Sequence, residues 1–431
     1  MIDTRTVRTQ QEIIAKRNMN LLKKWVLGID AGFSSLKGFA PNKYFCFPSF
    51  AHKLDTELQF SNEKDILYRD DSGTYLVGAS AQNQIGSDDT NETETELYAR
   101  NRYSNKKFKI ILATGLAIGI SENLYGKKSD EQEIVVQTGL PTAYIMKDEK
   151  SIVKAFCDHY VFELKIGIGN WKKYDIQVKP ENVFVMPQPA GTLYSVVVDE
   201  NGHNLPDAKA FFSKNILIAD VGFGTFDPYG LINRKLVLKE SLSNIGMRRI
   251  LAETSGLIRD LYGEDIRVPA MQKYLEKGYI DILDEETMKT ESVQIAPLLE
   301  KASEMVFQEA VAALKNMTNF MRDYDILIPT GGTCSLWMDK FVEHFKGMKS
   351  LTVIPGNRND KLPLLYSNVR GYYMFCYMSV RSNGLSGFIT CNHGKTDWTL
   401  STGSKSTVSI FNIGIICHQV KRNAHRFCSV C

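Results

Sequence analysis

The chain has no long hydrophobic run, no excess of charge of either sign and no leader-like opening. Its longest apolar run, Ile110 to Ile120, falls well short of the roughly 20 residues that cross a bilayer, so it reads as a buried helix and no membrane partner is expected. Residues 1–24 scatter Arg, Lys and Gln among apolar positions, without a continuous apolar segment or a small-residue cleavage site. A secretory signal is therefore not expected, and a cytoplasmic address is. The net charge is only +3, and no stretch interleaves aromatics with a dense basic run, so direct nucleic-acid binding is not expected either. Hydrophobic residues make up 43% and charged residues 23% of the chain, which excludes wholesale disorder and fibrous repeats. What remains is a 431-residue chain, long enough for two or three domains and a substantial core.

Of the eight cysteines, Cys46, Cys157 and Cys334 stand isolated among core-like residues and read as buried thiols. Four fall in the last 53 residues, together with three of the seven histidines. Cys428-Ser-Val-Cys431 has CxxC spacing, but no second pair lies at zinc-site spacing. From Ser379 onward the net charge is +5 against −2 for the rest. With its Gly, Ser, Thr and Asn content, this basic stretch reads as an appended tail, disordered or foreign to the rest of the fold.

Along the chain, Thr9 to Leu22 has the spacing of an amphipathic helix through Ile13, Ile14, Met19 and Leu22. The run Trp25–Ile29 then starts a strand meander that continues at Leu36–Ala40 and Tyr44–Phe47. Helical patterns are expected over 97–123 and 148–162, with a buried strand from Glu133 to Gly139 and further strands near 174–179 and 182–186. The second half repeats this grammar. Asn215–Ala219 is an apolar strand, Leu236–Lys239 another, and Gly246 to Tyr262 a one-sided helix. A charged, helix-rich stretch over 264–290 precedes a long helix over 293–322, the strand Ile326–Ile328, a helix over 335–346 and the strand Leu351–Ile354. A unit of strand, aspartate, glycine turn and strand thus occurs twice, about 190 residues apart. An internally duplicated α/β domain built on a mixed sheet explains this. The expected layout is an extension over 1–24, domains over 25–195 and 196–378, and the tail over 379–431.

Three motifs carry chemistry. Asp30-Ala-Gly32-Phe-Ser34-Ser35-Leu-Lys37 follows a buried strand. Small residues there expose backbone N–H groups that can cradle phosphate oxygens, Asp30 can hold a metal through water, and Lys37 can approach phosphate as a point charge. Asp220-Val-Gly222-Phe-Gly224-Thr225-Phe-Asp227 supplies one carboxylate, two flexible backbone points and a hydroxyl within a single hairpin. Each is also simply a Gly-rich hairpin when taken alone, but two in register describe a nucleotide clamped with Mg²⁺ between domains. Thr330-Gly331-Gly332-Thr333 lies between a strand and a helix, where glycines let the backbone pass close to a flat base or ribose.

The order of these motifs resembles the superfamily of actin, heat-shock chaperones and sugar kinases across roughly residues 25–375. In that resemblance Asp30 to Lys37 is the first phosphate motif, Asp220 to Asp227 the second, and Ile326 to Thr333 the adenosine motif. Val183-Phe-Val-Met-Pro-Gln188-Pro189, running on to Tyr194, resembles the connecting helix, and Gln188 stands where actin carries the Gln that orients the attacking water. Within the superfamily the chain is most similar to ParM-like bacterial actins, which segregate plasmids. Asn368-Val-Arg370-Gly371-Tyr372 resembles their closing segment, while the stretch before Trp25 and that after about Ser379 have no counterpart.

The resemblance implies actin-like (ribonuclease H-like) domains with a nucleotide cleft between them. It implies ATP (or GTP) and Mg²⁺ as cofactors, with Asp30 and Asp220 holding the metal through water and acting with Gln188 in catalysis. The cofactor-binding set is Gly32, Ser34, Ser35, Lys37, Gly222, Gly224, Thr225, Gly246, Gly331, Gly332 and Thr333. It further implies an ATPase that assembles into a homopolymeric filament and reaches plasmid DNA through a DNA-binding adaptor. A small-molecule kinase or a chaperone-like ATPase of the same fold is the alternative, and a Gln where water is held argues for hydrolysis.

Overall fold

The computed structural model describes residues 2–17, 23–56, 60–84, 101–284 and 286–383. It opens with a one-turn helix, α1 (Thr4–Val7), whose Arg5 N–H is capped by the Asp3 side chain, and a short strand, β1 (Glu12–Ala15). The strand lies antiparallel on the edge of a meander formed by β2 (Lys24–Ala31), β3 (Ser35–Ala40) and β4 (Lys43–Pro48). The amphipathic helix expected over Thr9–Leu22 is therefore not formed in the described part of that stretch. The open edge of β4 pairs the backbone of residues 12–15, and that pairing outweighs four apolar side chains at helical spacing.

The first half continues through β5 (Ala51–Lys53), β6 (Ile66–Asp70), β7 (Gly73–Val77), α2 (Ala79–Gln82) and α3 (Lys106–Ile120). The Asn105 side chain caps α3 by accepting from the Lys107 N–H at 2.7 Å. Then come β8 (Glu133–Leu140), α4 (Ile145–Phe156), β9 (Tyr160–Ile166), β10 (Lys172–Ile176), β11 (Val183–Pro187) and α5 (Gln188–Val197). The helix expected over 148–162 ends at Phe156. Beyond it Tyr160, Phe162 and Leu164 are buried in alternation, the signature of a strand rather than a helix.

The second half comprises α6 (Ala208–Phe211), β12 (Ile216–Val221), β13 (Phe226–Ile232), β14 (Lys235–Lys239), α7 (Met247–Tyr262) and α8 (Met271–Lys277). It closes with β15 (Tyr279–Asp284), β16 (Lys289–Gln294), α9 (Ala296–Met317), β17 (Ile326–Thr330), α10 (Cys334–Phe345), β18 (Thr352–Val353) and α11 (Ser367–Asn383). The stretch 264–290, expected to be helix-rich, holds only the short α8, which ends at Gly278 in the left-handed region, and then an antiparallel hairpin. Among the described residues no helix is long and apolar enough to cross a membrane.

The duplication is plain in the topology. One sheet runs β1-β4-β3-β2-β8-β11 and the other β14-β13-β12-β17-β18. In each, an antiparallel meander is extended by two parallel strands from its first member. A further five-stranded sheet, β10-β9-β6-β7-β5, is inserted in the first half. Both central strands are buried on both faces. In β2, Trp25, Leu27 and Ile29 join the core beneath α3, while Val26 faces the opposite way. In β12, Leu217, Ala219 and Val221 face the helices α7 to α9, while Ile216 and Ile218 face away from them.

Those outward faces meet in one shared core with α5 and α11 between the two sheets. The helices cross so closely that a Cβ on Gly371 would lie 1.7 Å from the Gly191 carbonyl oxygen. The segment 367–378, expected with the second domain, thus packs on α5, β2, β3 and β8 of the first. Its helix runs past the expected boundary at 379, with Val380 buried. The rest of the expected tail, with Cys391, Cys417, Cys428 and Cys431, lies outside the described residues.

Candidate functional site: a cleft floored by paired carboxylates

Asp30 and Asp220 occupy equivalent places, each near the end of a central strand where the first hairpin begins. The register across each hairpin is also equivalent, with Asp30 opposite Lys37 and Asp220 opposite Asp227. One half therefore carries an ion pair where the other carries two acids. Lys37 Nζ donates to Asp30 Oδ2 at 3.0 Å, and Gln188 Nε2, at the start of α5, donates to Asp30 Oδ1 at 3.1 Å. Asp220 Oδ2 accepts from Asn368 Nδ2 of α11 at 2.7 Å. Thr225 Oγ1 donates to Asp227 Oδ2 at 2.7 Å, and the Ser241 hydroxyl lies beside the same carboxylate.

Burial first, and then the neighbouring Asp227 charge, push the Asp220 carboxyl up to about 7, against the stabilising bond from Asn368. Burial likewise raises Asp227 to about 6, against the hydroxyls of Ser241 and Thr225. Two buried acids at the floor of one lobe, held above the ordinary carboxylate range, are a place where a bound cation is electrostatically favoured. Among the described residues no three His, Cys, Asp or Glu side chains converge into a cage. This donor set fits a magnesium ion, which keeps most of its waters and takes one or two carboxylates together with phosphate.

The backbone of both loops is braced from behind. In the first, Arg102 is buried, lies 4.2 Å from the Phe33 ring, and donates to the carbonyls of Ala31 (2.5 Å) and Gly32 (3.1 Å); Ser49 Oγ also donates to Gly32 O. In the second, the Gly222 carbonyl accepts from Thr333 Oγ1 at 2.7 Å and from the Met247 N–H, while Phe223 O accepts from the Arg248 N–H at 2.8 Å. With these carbonyls engaged behind each loop, the hairpins present a fixed backbone toward the cleft. Gly331 permits a close approach: its φ is +90°, and a Cβ there would stand 2.4 Å from the Val221 carbonyl oxygen and 2.6 Å from Asp220 Oδ1.

Of the residues singled out in the sequence, Asp30, Gly32, Ser34, Lys37 and Gln188 line the cleft on one side. Asp220, Gly222, Gly224, Thr225, Gly331 and Gly332 line it on the other. Ser35, Gly246 and Thr333 stand outside that lining. Ser35 is buried in β3, Gly246 sits against the carbonyls of Gly222 and Phe223, and Thr333 holds loop 2 from behind. Sequence reasoning did not assign Arg102, Asp227 or Asn368 to the site. Asp227 and Asn368 lay inside quoted motifs, but only the fold shows that they meet Asp220, and Arg102 carried no sequence signal.

Two lobes of one topology, closing on a cleft floored by a pair of strand-end aspartates, are the plan of the actin-like fold. Residues 28–191 match the family model of the actin-like proteins' N-terminal domain, and the fold of the chain is actin-like. Among solved structures, the non-polymerisable quadruple mutant of pCBH ParM is 20% identical at a TM-score of 0.64, over 83% of this chain and 100% of its own. The ParM of a 15-stranded filament from Clostridium botulinum is 19% identical at 0.61, over 83% and 100%. An archaeal actin homologue in complex with ADP is 17% identical at 0.52, over 82% and 99%. At these identities the likeness is one of fold. No curated protein sequence matches the chain.

Proposed function

We propose that the chain binds ATP, or GTP, with Mg²⁺ in this cleft, hydrolyses it, and assembles into homopolymeric filaments that segregate plasmid DNA through a DNA-binding adaptor. The observation that carries the reading is the facing of two equivalent loops, one following Asp30 and one following Asp220, with Gln188 bonded to Asp30 at the head of the connecting helix. In this reading Asp30 and Asp220 hold the metal through its waters, and the metal neutralises charge on the phosphates. The loop backbones of Gly32–Ser34 and Gly222–Thr225 cradle the phosphates. Gly331 and Gly332 let the base and ribose approach the second sheet. The Gln188 amide does not take up a proton at neutral pH and cannot serve as a general base, so its part is to orient the attacking water.

Filament formation is supported by the ParM filament from Clostridium botulinum and the Alp12 filament, which share the fold, and nucleotide binding by the ADP complex of the archaeal homologue. The deciding experiment is electron microscopy and pelleting of the purified protein with ATP or GTP, with and without Mg²⁺. Filaments that need nucleotide support the proposal. Hydrolysis without any filament would favour the kinase or chaperone-like alternative, and neither activity would remove the nucleotide reading altogether.

A further inference from the structure

Residues 2–17 belong to neither lobe alone. Their first part is anchored in the second lobe: Val7 is buried in its core, and Thr4 Oγ1 donates to Leu275 O at 2.7 Å. Arg8 pairs with Glu276 at 3.0 Å, and the Thr9 N–H donates to the buried Gln272 Oε1 at 2.9 Å, all on or beside α8. Their second part is anchored in the first lobe. Strand β1 pairs with β4, and Gln11 donates to Lys64 O, just before β6, at 2.5 Å and accepts from the Ala79 N–H at the start of α2 at 2.7 Å. Beyond these first-lobe anchors, Glu12 accepts from the Tyr366 hydroxyl at 2.8 Å and Lys16 pairs with the buried Asp360 at 3.2 Å, both in the segment between β18 and α11. From Val7 to Glu12 the chain is five residues long, a reach of at most roughly 17 Å when fully extended. The connection therefore has little slack.

We propose that this N-terminal segment is a strap that limits the relative motion of the two lobes and favours the arrangement in which both loops face one cleft. The inference rests on the nucleotide reading for its link to ligand affinity, but not for the strap itself. A strap transmits restraint only when both ends hold, so releasing either end has the effect of removing it. Coupling is also reciprocal: if the strap favours the binding-competent arrangement, bound nucleotide must secure the strap by the same factor.

The test compares the parent with a chain lacking residues 2–11 and with two double variants, each releasing one end. Val7→Ser with Arg8→Ala frees the second-lobe end, and Gln11→Ala with Ile14→Pro, which removes the bonds to Lys64 and Ala79 and breaks the pairing of β1 with β4, frees the first-lobe end. Affinity is measured with a fluorescent ATP analogue in Mg²⁺, lobe separation by small-angle X-ray scattering, and strap closure by hydrogen exchange over residues 4–15. The expected result is a loss of affinity of about fivefold or more in all three, with a larger radius of gyration and nucleotide-dependent protection of 4–15 in the parent. If folded variants keep parental affinity and scattering, the segment only covers surface and the proposal falls. If the parent binds no nucleotide, the cleft reading fails while scattering still decides the strap: unchanged profiles reject it and expanded ones support it. Should the deletion fail to fold, the two point variants carry the same comparison.

Discussion

At the scale of single residues, the two halves differ most at one register position, where Lys37 faces Asp30 but Asp227 faces Asp220. The lysine gives the first aspartate a built-in counter-charge, whereas the second lobe keeps two acids against each other in a buried place. This has a consequence for stability. Asp220 lies near 7 and Asp227 near 6 when folded, well above an ordinary aspartate. Between pH 4 and 7 the folded protein therefore binds more protons than the unfolded chain, and stability contributed by these groups is lost as pH rises through their folded values. Without metal or nucleotide, the protein should lose stability across that window with a slope approaching about 1.4 kcal/mol per pH unit for each such group. Asp220→Asn, which keeps an acceptor for Asn368, should flatten part of the slope and raise the melting temperature at pH 7 in EDTA. Thermal melts of parent and variant from pH 4 to 8 check this, and parallel curves would show that Asp220 does not titrate in the window.

At the scale of elements, the meander, the duplication and the loops were legible because they are local. Strand-end aspartates followed by glycines and a second strand are visible as spacing, and both hairpins lie where the pattern puts them. The failures are those of elements whose identity depends on a distant partner. Residues 12–15 are a strand because β4 has an open edge, and Tyr160–Ile166 is a strand because β6 and β10 flank it. The closing motif was legible as a motif but not in its purpose. Asn368 reaches Asp220 and also accepts from Thr192 at 2.6 Å; Arg370 grips Asp360 through both nitrogens at 2.6 Å and donates to the carbonyls of Ser195 (2.8 Å) and Val198 (2.9 Å) at the end of α5. Gly371 is where α11 passes over Gly191. Each residue thus fixes α11 to α5, and through Asn368 that joint sets Asp220. Gly371→Ala would force the helices apart, at a cost on the order of 1–3 kcal/mol. Because the displaced helix carries Asn368, nucleotide affinity should fall along with the melting temperature. A loss of stability with unchanged affinity would show that the crossing does not position the site.

For the whole molecule, the proposed cycle separates assembly from hydrolysis, and Gln188 is the residue through which the two can be pulled apart. It lies at the head of α5, bonded to Asp30, and α5 is one of the two helices packed between the sheets. If Gln188 orients the attacking water, Gln188→Ala removes an interaction that matters in the transition state more than in the bound ground state. Hydrolysis should then slow by ~10²-fold while nucleotide affinity stays close to that of the parent. Assembly that depends on bound nucleotide survives this change, and disassembly that depends on hydrolysis does not. The variant should therefore polymerise on addition of ATP and Mg²⁺ and then fail to decay on the parental time course. Light scattering followed through the decay phase, with phosphate release measured in parallel, gives both quantities from one sample. Normal decay with normal phosphate release would remove Gln188 from the mechanism and leave its bond to Asp30 as a structural contact. Slow release with normal decay would separate filament lifetime from hydrolysis and overturn the proposed coupling, even with filaments present.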